Sequence, residues 1–267
     1  MKIHSYHKAT SLEDAYRCYL QNANNVIIGG GAWMKLATKE VDVAIGLESL
    51  GLEGITETED AFEIGSMTTL RDLERHTELV TLHNGILSKC VHQIMGVSLR
   101  NLATLGGSIM GKFAFSDLLA PLLVVNTTLV FYKQGEVSLE EYLDQKVKSK
   151  DILVKIVIKK ENGKGYFHKV SSTSLDFALM NVAIGVLGNQ VKLAVGARPS
   201  IACLAKKAGE FLSKQEVVTA HAIEEATQIA CEELKFGSNN RASAEYRKAL
   251  AQVYIERGLK EVFDIED

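Results

Sequence analysis

Three consecutive glycines, Gly29 to Gly31, directly follow the β-branched apolar run 26-VII-28 and directly precede 33-WMKLAT-38, a short helical pattern. A glycine turn between strand and helix leaves backbone N–H groups uncovered, so it serves either as a tight turn or as a phosphate cradle. The familiar dinucleotide and nucleotide turns do not fit. GxGxxG counted from Gly29 needs a glycine at 34, where this chain has Met34, and no GK[ST] follows for a P-loop. A phosphate held here is therefore held by another kind of glycine loop.

A second glycine segment, 100-RNLATLGGSIMGKFAFSDLL-119, lies about seventy residues further on. Gly106-Gly107 sits between Thr104 and Ser108, whose hydroxyls, with the flanking backbone N–H groups, suit a diphosphate approached from the other side. Two such loops point to one extended ligand with a diphosphate at its middle. Within this segment 99–111 has too many glycines and too little periodicity for a helix.

The elements around the loops read as α+β. Ser11 caps a helix over 11–22, strands are expected at 26–30, 41–47 and 61–65, and Thr69 with Asp72 forms a capping box at the next helix. A longer helix is expected over 79–95, a helix over 116–125, and strands over 128–132 and 152–160. The polar, glycine-bearing stretch 160–165 is the best domain boundary. Beyond it, Gly188-Asn189 joins 182–187 and 190–195 as a hairpin, and helices follow over 201–212, 214–236 and 243–259. A chain of 267 residues holds two such domains.

Composition excludes several classes. The formal net charge is −3 with no basic run, which gives no footing for nucleic acid or a membrane surface. The longest apolar stretch, 118–131, is too short and interrupted to span a bilayer. Cys18, Cys90, Cys203 and Cys231 are far apart and form no CxxC pair, as expected of reduced thiols in a cytoplasmic protein without its own iron–sulfur cluster or zinc. The seven histidines show no ligand spacing, so no metal site is expected, and no convincing catalytic acid or base stands out.

The two loops together resemble those of the FAD-binding (medium) subunit of the molybdenum hydroxylases, the xanthine dehydrogenase and carbon monoxide dehydrogenase family. The family's first loop, AGGTDLL, stands here as Ile28-Gly29-Gly30-Gly31-Ala32-Trp33-Met34. Its second, RNxATLGGNIANASPASDLIPALLALDAEV, lies on Arg100 to Leu129 without a gap. It matches at Arg100, Asn101, Ala103, Thr104, Leu105, Gly106, Gly107, Ile109, Ser116, Asp117, Leu118, Leu122 and Leu123. Residues 151-DILVKIVI-158 are similar to the family's GEILxxIxIP strand, and 166–178 to its YxKxxxRxAxDxA segment, with Lys169 and Asp176 in place. The segment 238–259 resembles the opening RxSxxYR and last helix of the flavoprotein C-terminal domain, where Arg241, Tyr246 and Arg247 read as structural. Departures mark a divergent branch: Gly31-Ala32 replaces Thr-Asp, Ser108 replaces Asn, 112-KFAF-115 replaces ASPA, Pro121 stands one place late, and Thr173 replaces an arginine.

The resemblance implies a vanillyl-alcohol-oxidase-like FAD-binding domain over 1–160, with subdomains of about 1–55 and 56–160. A C-terminal domain of antiparallel sheet plus helices would occupy 161–267. FAD would lie extended in the cleft between the subdomains, and non-covalently, since neither loop carries a histidine or cysteine. The implied cofactor residues are Ile27, Ile28, Gly29, Gly30, Gly31, Ala32, Trp33 and Met34 in the first loop and Thr104, Leu105, Gly106, Gly107 and Ser108 in the second. Ile152 and Leu153 would lie beside the isoalloxazine, and Lys169 completes the set with Asp117, which either meets a ribityl or ribose hydroxyl or caps the 116–125 helix. Trp33 reads as packing or as a flavin contact.

The function implied is electron transfer within a multi-subunit hydroxylase. The molybdenum cofactor and iron–sulfur clusters would sit only on partner subunits, and electrons would leave FAD for an acceptor such as NAD. Another polypeptide would set the substrate, for which the family points to a purine or another N-heterocycle. Two other readings stay open: a stand-alone flavoprotein oxidoreductase of the same fold, and a non-catalytic scaffold paralogue, which the altered GGGAWM loop favours.

Overall fold

A computed structural model describes residues 1–34, 38–144 and 150–266. The helix expected near 33–38 falls largely on 35–37, outside the described residues. In chain order the first elements are β1 (Lys2–Lys8), α1 (Leu12–Gln21), β2 (Val26–Ile28), β3 (Glu40–Gly46), β4 (Ile55–Glu57), β5 (Ala61–Gly65) and α2 (Leu70–Arg75). Then come α3 (Ile86–His92), α4 (Val97–Arg100), α5 (Leu105–Met110), α6 (Leu119–Val124), β6 (Thr127–Phe131), β7 (Gly135–Ser138), α7 (Leu139–Asp144) and β8 (Leu153–Lys159). The remainder is β9 (Gly163–Val170), β10 (Met180–Leu187), β11 (Gln190–Gly196), β12 (Cys203–Leu204), α8 (Lys206–Ser213), α9 (Ala220–Glu233) and α10 (Ala244–Phe263).

The chain divides into two compact units that interleave in sequence. Unit 1 comprises Met1–Asp72, Gly96–Gly111 and Thr128–Ile158; unit 2 comprises Leu73–Met95, Lys112–Thr127 and the chain from Lys159 on.

Unit 1 holds a parallel three-stranded sheet, in the order β1-β3-β2, and a five-stranded sheet, in the order β4-β5-β8-β6-β7. Helix α1 starts where Ser11 Oγ accepts from Asp14 N at 3.1 Å, and its buried Ala15 and Cys18 share a core with Ile45, Leu47 and Ile152. The capping box at α2 forms as its sequence dictates: Asp72 N donates to Thr69 Oγ1 at 3.1 Å and Thr69 N to Asp72 Oδ2 at 3.2 Å.

Unit 2 is built on an antiparallel sheet in the order β12-β11-β10-β9. Gly188, at φ 57°, makes the tight β10–β11 turn that Gly188-Asn189 signals. Strand β10 is an almost unbroken apolar run because both its faces are covered. On one side Val182 and Ile184 pack with residues of α8, α9 and α10, among them Ala208, Ile223 and Ile255. On the other, Gly185 lets the backbone of α6 come close: a Cβ there would lie 2.6 Å from Val124 O.

Two expectations are corrected. The helix over 79–95 is broken, because His83, Asn84 and Gly85 are all left-handed, at φ 50°, 58° and 72°; α3 begins only after them. Apolar periodicity continues through this turn, while the Asn84-Gly85 pair supplies the residues that tolerate it. Strand β9 starts at Gly163, within the stretch 160–165. Gly165 is there for packing: a Cβ would lie 2.5 Å from His83 O. Finally, the helices over 201–212 and 214–236 are shorter than expected, because 203–204 pairs with β11 and α9 begins after its Thr219 cap, whose Oγ1 accepts from Ala222 N.

Asp151 pins the start of β8 and was not singled out from sequence. Its carboxylate, on a residue 4% exposed, accepts from Gln134 N at 2.8 Å, Ile152 N at 2.7 Å and Lys133 N at 3.2 Å. Asp151→Ala removes the acceptor of three backbone donors and is expected to cost about 2–4 kcal/mol. Urea unfolding of the two proteins checks it, and a midpoint equal to wild type would remove this role from the carboxylate.

Candidate functional site

In unit 1 the two glycine loops, far apart in sequence, are in contact. A Cβ built on Gly29 would lie 2.7 Å from Thr104 Oγ1 and 3.5 Å from Gly107 N; one built on Gly107 would lie 2.9 Å from Thr104 Oγ1 and 3.0 Å from Gly29 O. At Gly30, φ 69°, a Cβ would overlap Leu102 O at 1.7 Å. The glycines are thus first of all what lets one loop lie on the other. Gly31 differs. Its φ is 65°, but among the described residues a Cβ there would meet only Ile28 Cγ2, at 3.6 Å, so here the first loop presents side-chain-free backbone that the second loop does not cover. That is the feature a diphosphate cradle requires.

The second loop corrects the reading of 99–111 as non-helical. Thr104 caps α5, its Oγ1 accepting from Gly107 N at 3.1 Å, and the short helix is seated on the turn before α2. Leu105 N donates to Thr68 O and Gly106 N to Ser66 O, both at 2.9 Å, while a Cβ on Gly106 would lie 2.6 Å from Ser66 O. Tertiary contacts and the cap outweigh the poor helix propensity of two glycines. This has a chemical consequence. Ser108 N donates to Thr104 O at 3.0 Å and Ser108 Oγ to the same oxygen at 2.8 Å, so the amides of 105–108 and the Ser108 hydroxyl all have protein acceptors. The loop offers a ligand a smooth backbone wall rather than the open set of donors expected from sequence.

The other expected residues of unit 1 fall as follows. Ile27 and Ile28 end β2, Ala32 is buried, and Trp33 and Met34 are half-buried. Ile152 and Leu153 are buried, Ile152 within the core of Ile45 and Leu47.

Asp117 and Lys169 lie in unit 2, where they form an ion pair at 2.8 Å with side chains only 7% and 3% exposed. Asp117 is no helix cap. Its Oδ2 accepts from Lys169 Nζ, and its Oδ1 accepts from Asn181 Nδ2 at 3.2 Å; Lys169 Nζ also donates to Gln93 O at 3.1 Å. Burial pushes the Asp117 carboxyl above its ordinary range, and the charge and hydrogen bond of Lys169 and the Asn181 bond pull against that. Asn181 went unnoticed in the sequence. Its signal was one amide inside the apolar strand 180-MNVAIGVL-187.

Among the described residues no group of three metal-ligating side chains occurs, and no helix is long and apolar enough to cross a membrane. The cysteines are free thiols.

Comparison with known proteins adds the following. Residues 1–159 match the family model of the FAD binding domain in molybdopterin dehydrogenase, and residues 165–262 that of the CO dehydrogenase flavoprotein C-terminal domain. The chain is 27% identical to the nicotine 6-hydroxylase medium subunit of Paenarthrobacter nicotinovorans, over 96% of each chain. It is 25% identical to the xanthine dehydrogenase FAD-binding subunit of Escherichia coli O157:H7, over 96% of this chain and 95% of that one. A solved carbon monoxide dehydrogenase from Hydrogenophaga pseudoflava shares the fold, with a TM-score of 0.88 at 20% identity over 100% of this chain and 99% of that one.

The buried pair makes its own prediction. Lys169→Met strands the Asp117 carboxylate without its cation and is expected to cost about 3 kcal/mol at neutral pH. The sign of its pH dependence follows. A carboxyl whose folded pKa is raised contributes stability below its unfolded value and loses it as pH rises through the folded one. The deficit should therefore shrink on acidification, as Asp117 takes up a proton. Denaturant unfolding at neutral and acid pH checks this, and a deficit unchanged by pH would refute it.

Proposed function

The chain belongs to the flavoprotein (medium) subunits of the molybdenum hydroxylases, and from that membership we propose that it is the FAD-carrying electron-transfer subunit of a xanthine dehydrogenase-like complex. In this reading electrons reach it from iron–sulfur clusters on one partner subunit, themselves fed by a molybdenum cofactor on another, and leave for NAD or a similar acceptor in the cytoplasm. The observation that carries the reading is the close approach of Gly29 to the Thr104 hydroxyl and the Gly107 backbone, next to the side-chain-free, left-handed Gly31.

Bound FAD supplies the redox chemistry, and the chain supplies position and electrostatics. Residues 27–34 and 104–108 would hold the diphosphate, the first loop offering side-chain-free backbone and the second a wall. Asp117 would accept from a ribityl or ribose hydroxyl, with Lys169 as its fixed counter-ion. Ile152 and Leu153 would supply apolar surface near the ring system. None of these residues needs to act as acid or base for electrons to pass. The FAD-binding domain is taken to run over 1–160, and the C-terminal domain from 161. The missing Thr-Asp of the first loop favours one rival, a scaffold paralogue without flavin.

An absorption spectrum of the purified chain separates these readings: flavin bands are expected, with all the colour released by acid precipitation. Gly107→Val, which forces the loops apart, should lose most of the flavin while keeping its far-UV spectrum. The flavin-loaded chain should pass electrons from NADH to a dye yet oxidise no purine by itself, and gain substrate-linked NAD reduction only with its cluster and molybdenum subunits. A colourless wild type would establish the scaffold, and purine oxidation by the lone chain would establish a stand-alone flavoenzyme.

A further inference from the structure

Asn181 occupies a position where the fold should prefer an apolar residue. It is 0% exposed, on the inner strand β10 of the unit 2 sheet, and its Oδ1 has no hydrogen-bond partner among the described residues. A leucine of the same shape would remove that orphaned oxygen. The amide is nevertheless accommodated: Asn181 pairs across the sheet with Lys169 on β9 and Gly196 on β11, and a Cβ on Gly196 would lie 2.4 Å from Asn181 Oδ1. The row Lys169–Asn181–Gly196 thus leaves room on one strand for a side chain that works on the other side.

That work is on the segment bearing Asp117. Asn181 Nδ2 donates to Ser116 O at 3.1 Å and to Asp117 Oδ1 at 3.2 Å, while Lys169 Nζ donates to Asp117 Oδ2 at 2.8 Å. Each carboxylate oxygen is claimed by a different strand, so the group cannot rotate, yet each keeps a lone pair. Cys90 Sγ donates to the Asp117 backbone carbonyl at 3.3 Å and holds the residue from α3. We propose that Asn181 is a positioning residue for the flavin site: it fixes the Asp117 carboxylate as an acceptor for a ligand hydroxyl. The inference rests on the reading that Asp117 touches bound FAD.

The electrostatics agree. Burial raises the Asp117 carboxyl, and Asn181 is one of the groups holding it down, together with Lys169 from β9. Cys90 also faces Asp117, and burial pushes its thiol well above the ordinary range, so it stays neutral. Without the amide donor the carboxyl should take up a proton more readily and lose its acceptor role.

FAD is titrated into the full-length apoprotein, with binding followed by flavin fluorescence, from about pH 6.5 to about pH 9. Wild-type affinity should be flat. Asn181→Leu should bind about tenfold more weakly, with the loss larger at the acid end of the range than at the alkaline end. Asn181→Asp should show the opposite slope. Its introduced acid can donate to Asp117 only while protonated, so its affinity should improve as pH falls. A merely structural amide would give Asn181→Leu a loss of equal size at every pH, and that result, or wild-type affinity in that variant, overturns the proposal. Should Asn181→Leu fail to fold, Asn181→Ala, which removes the same donor without adding an ionisable group, is read by the same slope. A wild-type chain that takes up no FAD at any pH overturns instead the reading beneath it, and the positioning role falls with it.

Discussion

The approach of Gly29 to Thr104 and Gly107 is the contact on which the rest of unit 1 turns. Three requirements meet in the Thr104 hydroxyl. It caps α5 by accepting from Gly107 N, it lies against Gly29, and it borders the side-chain-free backbone of the first loop. A Cβ at either glycine would have to displace it, so the helix start and the loop contact cannot be altered separately. Gly30 adds a harder limit, since any side chain there would occupy the place of Leu102 O. Close backbone packing of this kind leaves few alternative arrangements, which is what a rigid ligand surface needs.

Unit 2 solves a different problem by different means. Where unit 1 removes side chains to make a surface, unit 2 buries charge and surrounds it. Asp117 and Lys169 are nearly inaccessible, and such a pair repays its desolvation only if its remaining hydrogen-bonding capacity is used. Gln93 O takes a second proton of Lys169, and Asn181 takes the second oxygen of Asp117. The result is a charged group held in one orientation, as the proposed flavin contact of Asp117 requires. Preorganised electrostatics of this kind are what a protein contributes when the cofactor performs the reaction.

The left-handed turn at His83 shows why local sequence cues can mislead. Apolar spacing runs through 79–95 as though one helix continued, and the glycines of 163–165 look like punctuation between domains. The structure joins the two facts, because the turn at His83 packs against β9 where Gly165 leaves space for its backbone. Each segment makes sense only with the other present.

Legibility followed the range of the forces involved. The Ser11 cap, the Thr69–Asp72 box and the Gly188-Asn189 hairpin are set by neighbours within four residues, so the sequence alone specified them. The two glycine loops and their family pattern were equally readable, and with them the α+β class and the identity of the flavoprotein subunit. What local signals could not provide were decisions made by distant partners. Helix α5 forms despite its glycines because Ser66 and Thr68 receive its amides, and that same bonding removes them as ligand donors. For Asp117 the sequence leaves a cap and a ligand contact both open, and it is Lys169 and Asn181, more than fifty residues away, that take its oxygens and exclude the cap. Asn181 itself was hidden by the apolar residues around it. A single amide in a buried strand has no periodic signature, and only the sheet register that sets it beside Lys169 and opposite Gly196 gives it a task.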